Sequence, residues 1–114
     1  MKRLTLDNFV EEVLESEKPY MVLFKNSSCH LCRGFTTRAL PKLYRRYNKK
    51  IGFGIVDTNL EEDLMDIFEV EGVPTIFIFE QGEGRELEFP DNPNPFSGYH
   101  EKDVSAVLAE VLGE

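Results

Sequence analysis

Apolar residues recur at helical spacing in four stretches of the chain, and each stretch predicts an amphipathic helix. Thr5 or Asp7 can cap the first helix, and Thr58 and Asn59 can cap the third. Pro41 lies within the second and should kink it, because proline lacks the backbone N–H that a helix interior needs. The predicted buried stripes are Leu6, Phe9, Val10, Val13 and Leu14, then Phe35, Ala39, Leu40, Leu43, Tyr44 and Tyr47, then Leu60, Leu64, Ile67 and Phe68, and finally Val104, Val107, Leu108 and Val111.

Continuous apolar runs separate these helices. Residues 20–24 and 51–56 have the pattern of strands buried on both faces, as in parallel sheets. Residues 75–79 predict a third core strand, and a turn over residues 81–84 leads into residues 86–89, whose alternation predicts a half-exposed edge strand. The element order predicts an α/β fold with a small mixed sheet of about four strands, flanked by helices on both faces. We expect one domain over residues 1–114.

The composition is that of a globular protein. Of the 114 residues 41% are hydrophobic, with nine Phe and four Tyr, which excludes a disordered or collagen-like chain. No apolar run approaches the roughly 18 residues that span a bilayer, and no segment near Met1 is typical of a signal peptide. We therefore expect a soluble, cytoplasmic protein without a membrane partner.

The formal net charge of −8 conceals a segregation of charge along the chain. Nine basic residues and no Asp or Glu lie within residues 18–56, and the remainder holds four basic and all 21 acidic residues. The overall acidity excludes general nucleic-acid binding, which requires positive charge over most of the contact surface. The basic face of the second helix is either simply solvated or a docking surface for a partner.

The candidate chemistry lies in a Cys-His-Leu-Cys motif at residues 29–32, between the first core strand and the second helix. One helical turn brings the sulfurs of Cys29 and Cys32 within reach of a disulfide bond. Cys29, at the helix N-terminus, faces free backbone N–H groups that favour a thiolate over a thiol. The cations of Lys25, His30, Arg33 and Arg38 act in the same direction. Cys32 should be more buried and less reactive.

Interpretations of these residues without a role in disulfide exchange remain open. The cysteines could form an inert structural disulfide, or half of a zinc site shared between chains, although His30 and His100 are poorly placed to complete such a site. His30 could be a solvated side chain that points away from the sulfur. His100 is interpreted as a surface residue, with a proton shuttle as the alternative. We expect neither a metal nor a cofactor.

The chain resembles the thioredoxin-like disulfide oxidoreductase family over nearly its whole length. The resemblance rests on the entry at residues 4–9, the Cys-X-X-Cys after the first core strand, residues 55–57 at the end of the next strand, Gly72-Val73-Pro74-Thr75, and the final hairpin and helix. It implies a thioredoxin fold, with Cys29 as the nucleophile and Cys32 as the resolving thiol. It also implies a cis Val73–Pro74 peptide facing the cysteines.

The activity that this resemblance implies is thiol–disulfide exchange with protein substrates that carry disulfides or dithiols. A reductase is a candidate electron donor, and we expect a monomer. Phe96 and Tyr99 either line a substrate groove with Leu31 and Val73 or pack within a loop. The residues expected to contact substrate are His30, Leu31, Val73, Pro74 and Gly98.

The chain departs from the thioredoxin pattern at three places. Leu23 stands where such proteins carry a buried Asp, Ser28 where they carry Trp, and His30-Leu31 where they carry Gly-Pro. Together with the cations near Cys29, these changes indicate a less reducing, more specialised exchanger. Two other functions stay open: a glutaredoxin-like enzyme that acts on glutathione mixed disulfides, and a non-catalytic interaction module in which the cysteines are incidental.

Overall fold

The apolar runs form the centre of a five-stranded mixed sheet in the computed structural model, which describes residues 1–88 and 99–114. The strand order is β1-β3-β2-β4-β5, in which β1, β2 and β3 are parallel and β4 and β5 are antiparallel additions. The strands are β1 (Lys2–Arg3), β2 (Tyr20–Lys25), β3 (Gly52–Asp57), β4 (Thr75–Glu80) and β5 (Glu83–Glu86). The strand count exceeds the prediction by one, because the two polar residues of β1 carry no apolar pattern.

Helices cover both faces of this sheet. The α-helices in the described ranges are α1 (His30–Gly34), α2 (Leu40–Tyr47), α3 (Glu62–Ile67) and α4 (Glu101–Val111), and two π-helical segments occupy Val10–Leu14 and Phe35–Ala39. The predicted second helix is therefore divided into α1, the π-helical segment Phe35–Ala39 and α2. Pro41 lies in the first turn of α2, where a missing N–H is tolerated. None of these helices is long and apolar enough to cross a membrane.

Alternation along the strands produces two apolar layers. Met21 and Leu23 of β2 face α2 and α4, where Leu43 and Val104 are fully buried. The intervening Val22 and Phe24 face the opposite side of the sheet, toward the N-terminal segment and α3. The prediction of a mixed sheet flanked by helices on both faces is confirmed.

Four apolar side chains lie outside this core although the helical period predicts burial: Leu6, Val10, Leu60 and Ile67 are 46–60% exposed. Thr58 and Asn59 do not cap α3. They lie in a turn in which Asp57 Oδ1 accepts from the Asn59 N–H, and α3 starts only at Glu62. Six residues make fewer than two helical turns, so α3 buries chiefly Leu64.

The edge strand also differs from its prediction. Gln81 and Gly82 both have positive φ, of 52° and 83°, and they form a two-residue hairpin turn. The sequence predicted a longer turn, of four residues. Because the turn is shorter, β5 begins at Glu83, three residues earlier than predicted. Leu87, one of the two apolar residues of the predicted strand, is buried and donates its N–H to Ile76 O at 2.8 Å. Phe89 lies outside the described residues.

Candidate active site

A tight turn after β2 presents the cysteine motif. The Cys29 N–H donates to Asn26 O at 3.0 Å, and Asn26 Oδ1 accepts from the Ser28 N–H at 2.8 Å and from the Ser28 hydroxyl at 2.7 Å. Cys29 then adopts an extended conformation and forms the N-cap of α1. Asn26 thus determines how the chain passes from the sheet to the first cysteine.

A side-chain bridge joins this turn to the end of the neighbouring strand. Asn26 Nδ2 donates to Asn59 Oδ1 at 3.1 Å, and Thr58 N–H donates to Lys25 O at 2.9 Å. Neither Asn26 nor Asn59 was predicted from the sequence as a site residue. The available signal was an Asn close behind each of two adjacent parallel strands, directly after β2 and two residues after the end of β3, since Asn commonly shapes such turns.

The two sulfurs have different environments. Both cysteines are free thiols; Cys29 is half-buried, whereas Cys32 is only 1% exposed. The Cys32 N–H donates to Cys29 Sγ at 3.1 Å, and this bond stabilises negative charge on that sulfur. Cys29 is therefore the sulfur that an incoming group can reach, as predicted from its place at the helix start.

Burial dominates the titration of the second thiol. Together with a hydrogen bond to Cys29, burial raises the pKa of the Cys32 thiol to about 12, although a backbone hydrogen bond from Asn26 and the charge of Lys25 act in the opposite direction. Leu23 is fully buried between Ile55 on β3 and Ile76 on β4. The sheet position at which the family carries a buried carboxylate is thus apolar.

The segment before β4 lies against the reactive sulfur. The Val73–Pro74 peptide is cis, as the resemblance implies, and Cys29 Sγ lies 3.8 Å from Val73 O, to which its thiol donates. Thr75 Oγ1 donates to Gly72 O at 2.6 Å and closes this turn. Within residues 1–88 and 99–114 the Val73 N–H has no hydrogen-bond partner.

The other residues singled out from the sequence differ in exposure. His30 is exposed at the start of α1, and Leu31 is half-buried beside it. Gly98 and Phe96 lie outside the described residues. His100 is exposed at the N-cap of α4, in line with a surface residue.

Tyr99 packs into the edge of the core. Its hydroxyl donates to Leu87 O at 3.0 Å and accepts from the Ile76 N–H at 3.1 Å, and its ring lies 6.1 Å from that of Phe35. Tyr99 shares a groove with Leu31, but Val73 does not line that groove. The packing interpretation therefore describes Tyr99 better than a substrate groove shared with Val73.

A metal centre has no support in the described part of the chain. Residues 1–88 and 99–114 contain no group of three or more His, Cys, Asp or Glu side chains placed to hold a metal ion.

Comparison with known proteins decides the family. The family model "Thioredoxin" matches residues 1–102. The chain belongs to the thioredoxin family. Its five-stranded mixed sheet with helices on both faces is a thioredoxin fold, and Cys29 and Cys32 are spaced as the CxxC pair of this family.

Relatives of this thioredoxin-family protein include disulfide isomerases and thioredoxins. Protein disulfide-isomerase A6 of Homo sapiens is 31% identical over 83 residues, which are 70% of this chain and 19% of that protein. Thioredoxin Y1, chloroplastic, of Arabidopsis thaliana is 27% identical over 82 residues, 72% of this chain and 47% of that protein. Protein disulfide-isomerase 2-3 of the same plant is 26% identical over 104 residues, 91% of this chain and 21% of that protein.

The matched region thus spans about a fifth to about half of the length of these relatives. The family, its relatives and the spacing of the two cysteines support a thiol–disulfide oxidoreductase.

Proposed function

We propose that this protein catalyses thiol–disulfide exchange with protein substrates through Cys29 and Cys32. The observation that carries the proposal is the pairing of an accessible sulfur with a buried one: Cys29 Sγ accepts the Cys32 N–H, while Cys32 itself is 1% exposed. An inert structural disulfide does not need this asymmetry. A nucleophile and a resolving thiol do, because only the first has to meet the substrate.

In the first step the Cys29 thiolate attacks one sulfur of the substrate disulfide. A bond forms between Cys29 Sγ and that sulfur, the substrate S–S bond breaks, and the second substrate sulfur leaves as a thiolate that takes up a proton. The Cys32 N–H stabilises the attacking charge before this step.

In the second step Cys32 loses its proton and attacks Cys29 Sγ. The Cys29–Cys32 disulfide forms and the remaining substrate sulfur leaves as a thiol, so two electrons have passed from the protein dithiol to the substrate. The same steps in reverse oxidise a substrate dithiol. A reductase is the electron donor that we propose for the reducing direction.

Substrate placement follows from the segment facing Cys29. The Val73 N–H lacks a hydrogen-bond partner within the described residues, and the carbonyl oxygen of the same residue lies against Cys29 Sγ. An extended substrate segment can pair with this backbone while its disulfide lies against Cys29. In this proposal Pro74, His30 and Leu31 also contact the bound substrate segment. The protein acts as a monomer in the cytoplasm.

The test is to trap the intermediate. The Cys32→Ser variant retains the nucleophile and lacks the resolving thiol, so it should accumulate mixed disulfides with disulfide-bearing proteins. These adducts should appear by non-reducing mass spectrometry and disappear with dithiothreitol. The Cys29→Ser variant is the matched control and should form almost none, since its remaining thiol is buried.

Two results would replace the proposal. If Cys32→Ser still turns over glutathionylated substrate at the wild-type rate, the protein is a glutaredoxin-like enzyme. If Cys29→Ser and Cys32→Ser both capture partner proteins to the same extent as the unmodified protein, the fold serves as a non-catalytic interaction module.

A further inference from the structure

A groove with a cavity volume of about 630 Å³ begins at the cysteine motif and runs between the helical arm, residues 30–47, and the start of α4. We name it the basic groove, because among the described residues that line it three side chains are permanent cations and one is acidic. Its charged and titratable lining residues are His30, Arg33, Arg38, Lys42, His100 and Glu101.

The change of helical winding within the arm explains why the three cations share one groove. Arg33 and Arg38 are five residues apart, and Arg38 and Lys42 are four apart. In a regular α-helix a spacing of five leads to a different face, but the π-helical segment Phe35–Ala39, which begins after Arg33 and contains Arg38, turns less per residue and brings Arg38 closer to the face of Arg33. The α-helical spacing of four then continues the row to Lys42.

These cations are not neutralised within the described chain. Arg33, Arg38 and Lys42 are exposed, and in residues 1–88 and 99–114 the sole ion pair joins Lys50 to Glu114. Arg33, Arg38 and Lys42 all lie on the helical arm, and cations gathered in one groove strengthen the local field more than scattered surface charges do. The groove therefore attracts an anionic group although the chain as a whole is acidic.

The dimensions of the groove select the kind of anion. Arg33 and Lys42 are nine residues apart, which is about 14 Å along a helix and about four residues of an extended chain. A ligand that meets all three cations must carry acidic groups over this length, as a polypeptide segment does. His30 and Leu31 lie at one end of the groove, so its occupant is next to Cys29.

We propose that the basic groove binds an acidic segment of the substrate protein, whose disulfide or dithiol exchanges with Cys29 and Cys32. This substrate class rests on the function proposed above. The chain outside residues 18–56 holds all 21 acidic residues and four basic ones, so that part of the protein repels the same segment overall. The groove thus fixes the direction from which an acidic substrate approaches the sulfur.

The test uses three peptides with the same internal disulfide and a four-residue arm of Glu, Ser or Lys. The reduced protein should react about tenfold faster with the Glu peptide than with the Ser peptide at low ionic strength, and most slowly with the Lys peptide. Salt at about 0.5 M should abolish most of this preference, because exposed charges are then screened. The measured quantity is the ratio of the second-order rate constants.

The double variant Arg38→Glu, Lys42→Glu should lower the Glu-to-Ser ratio to about one or below. Because the ratio compares two substrates of the same variant, any change in the intrinsic reactivity of Cys29 cancels. The matched control is Arg45→Glu, Lys49→Glu, which makes the same change in net charge at exposed residues that do not line the groove. This control should keep the preference of the unmodified protein.

A binding measurement separates the groove from the chemistry. The redox-inactive double variant Cys29→Ala, Cys32→Ala should bind the fluorescent Glu peptide more tightly than the Ser peptide, and the reversal of Arg38 and Lys42 in it should remove the difference. If the unmodified protein reduces none of the peptides, the function proposed above fails, while this measurement still decides the groove.

Three outcomes would overturn the acidic substrate. The first is equal rate constants and equal affinities for the Glu and Ser peptides. The second is an equal loss of preference in the control variant, which would assign it to overall charge. The third is a dimer, detected by sedimentation, that the Arg38→Glu, Lys42→Glu variant dissociates, because the groove would then hold a second copy of this chain.

Discussion

Burial of the Cys32 sulfur should control how the second exchange step depends on pH. Its pKa is raised to about 12 in the free dithiol, first by burial and then by the hydrogen bond to Cys29. The reactive thiolate is therefore a minor species at neutral pH, and its fraction rises about tenfold with each pH unit below that pKa.

Release of substrate from the Cys29 mixed disulfide should thus accelerate steadily between pH 7 and pH 10, with a slope of about one in a logarithmic plot. Single-turnover quenching of a preformed mixed disulfide measures this rate. An ordinary thiol, with a pKa of about 8.5, would give a plateau above pH 9, and such a plateau would contradict the assignment. Formation of the adduct by Cys32→Ser provides the control for effects on Cys29 alone.

Asn26 should act as a positioning residue for Cys29. Asn26→Ala removes the acceptor of two Ser28 donors and the bridge to Asn59, while the backbone bond to Cys29 remains. We expect the rate with a small uncharged disulfide to fall about tenfold through misplacement of the sulfur. The free energy of unfolding should fall by only about 1 kcal/mol.

The control for Asn26 is Asn59→Ala, which breaks the bridge and leaves the Ser28 contacts in place. Stopped-flow exchange and urea unfolding on both variants separate the two contributions. Equal rates for Asn26→Ala and Asn59→Ala would show that the turn contacts do not position the sulfur.

At the scale of elements, two glycines should respond in opposite directions to the same added methyl group. Gly34 ends α1 with helical dihedral angles, and a Cβ there would meet nothing within 4 Å. Gly34→Ala should stabilise the fold by about 0.5–1 kcal/mol, because alanine loses less backbone freedom on folding. A Cβ on Gly54 would instead lie 2.5 Å from Leu4 Cδ1 in the core, so Gly54→Ala should destabilise by about 1–3 kcal/mol.

Urea unfolding followed by circular dichroism measures both effects. Gly54→Ala serves as the control for the sign of the change in stability, because it adds the same methyl group at a packed site. A loss of stability in Gly34→Ala would indicate that its neighbourhood is tighter than the open space beside α1 suggests.

The hydrophobic pattern predicted the elements better where a stripe was long. The stripe of residues 35–47 is buried at Phe35, Leu43 and Tyr47 even though its winding changes from α to π and back. The shorter stripes predicted burial for residues that are exposed. Leu60 precedes α3 and Ile67 ends it, so neither lies on a helix face that the sheet covers. Periodicity specifies which residues share a face, and the length of the helix decides how many of them reach the core.

The candidate site was predictable as far as its chemistry is local. The spacing of Cys29 and Cys32 and their place after a strand predicted one accessible and one buried sulfur, as the structure has them. The contacts of Asn26 with Asn59, 33 residues apart, depend on two strands lying side by side. The row of cations in the basic groove depends on a π-helical segment, and no residue pattern in the sequence specified that winding.

At the scale of the whole molecule, charge segregation should affect the redox equilibrium. Residues 18–56 carry both cysteines, nine basic residues and no acidic one, and cations near a cysteine pair stabilise its reduced form relative to the disulfide. We expect a reduction potential less negative than about −270 mV, the value of thioredoxin. Because salt screens these cations, 1 M NaCl should move the potential by about 10–30 mV toward more negative values.

Equilibration with glutathione buffers at low and high salt measures this potential. Sucrose at equal osmolality is a suitable control, since it leaves charge interactions unscreened. A potential at or below that of thioredoxin at low salt, or a shift in the opposite direction with salt, would show that the cations do not determine the redox balance.

The hydroxyl of Tyr99 has a consequence for solubility. Just beyond β5 it accepts from the Ile76 N–H and donates to Leu87 O, two backbone groups at the end of the β4–β5 ladder. A foreign peptide that sought to extend the sheet there would find both groups already occupied. Where β5 has ended, one phenol thereby keeps β4 at Ile76 from becoming an open edge for the strand-by-strand stacking that starts fibrils.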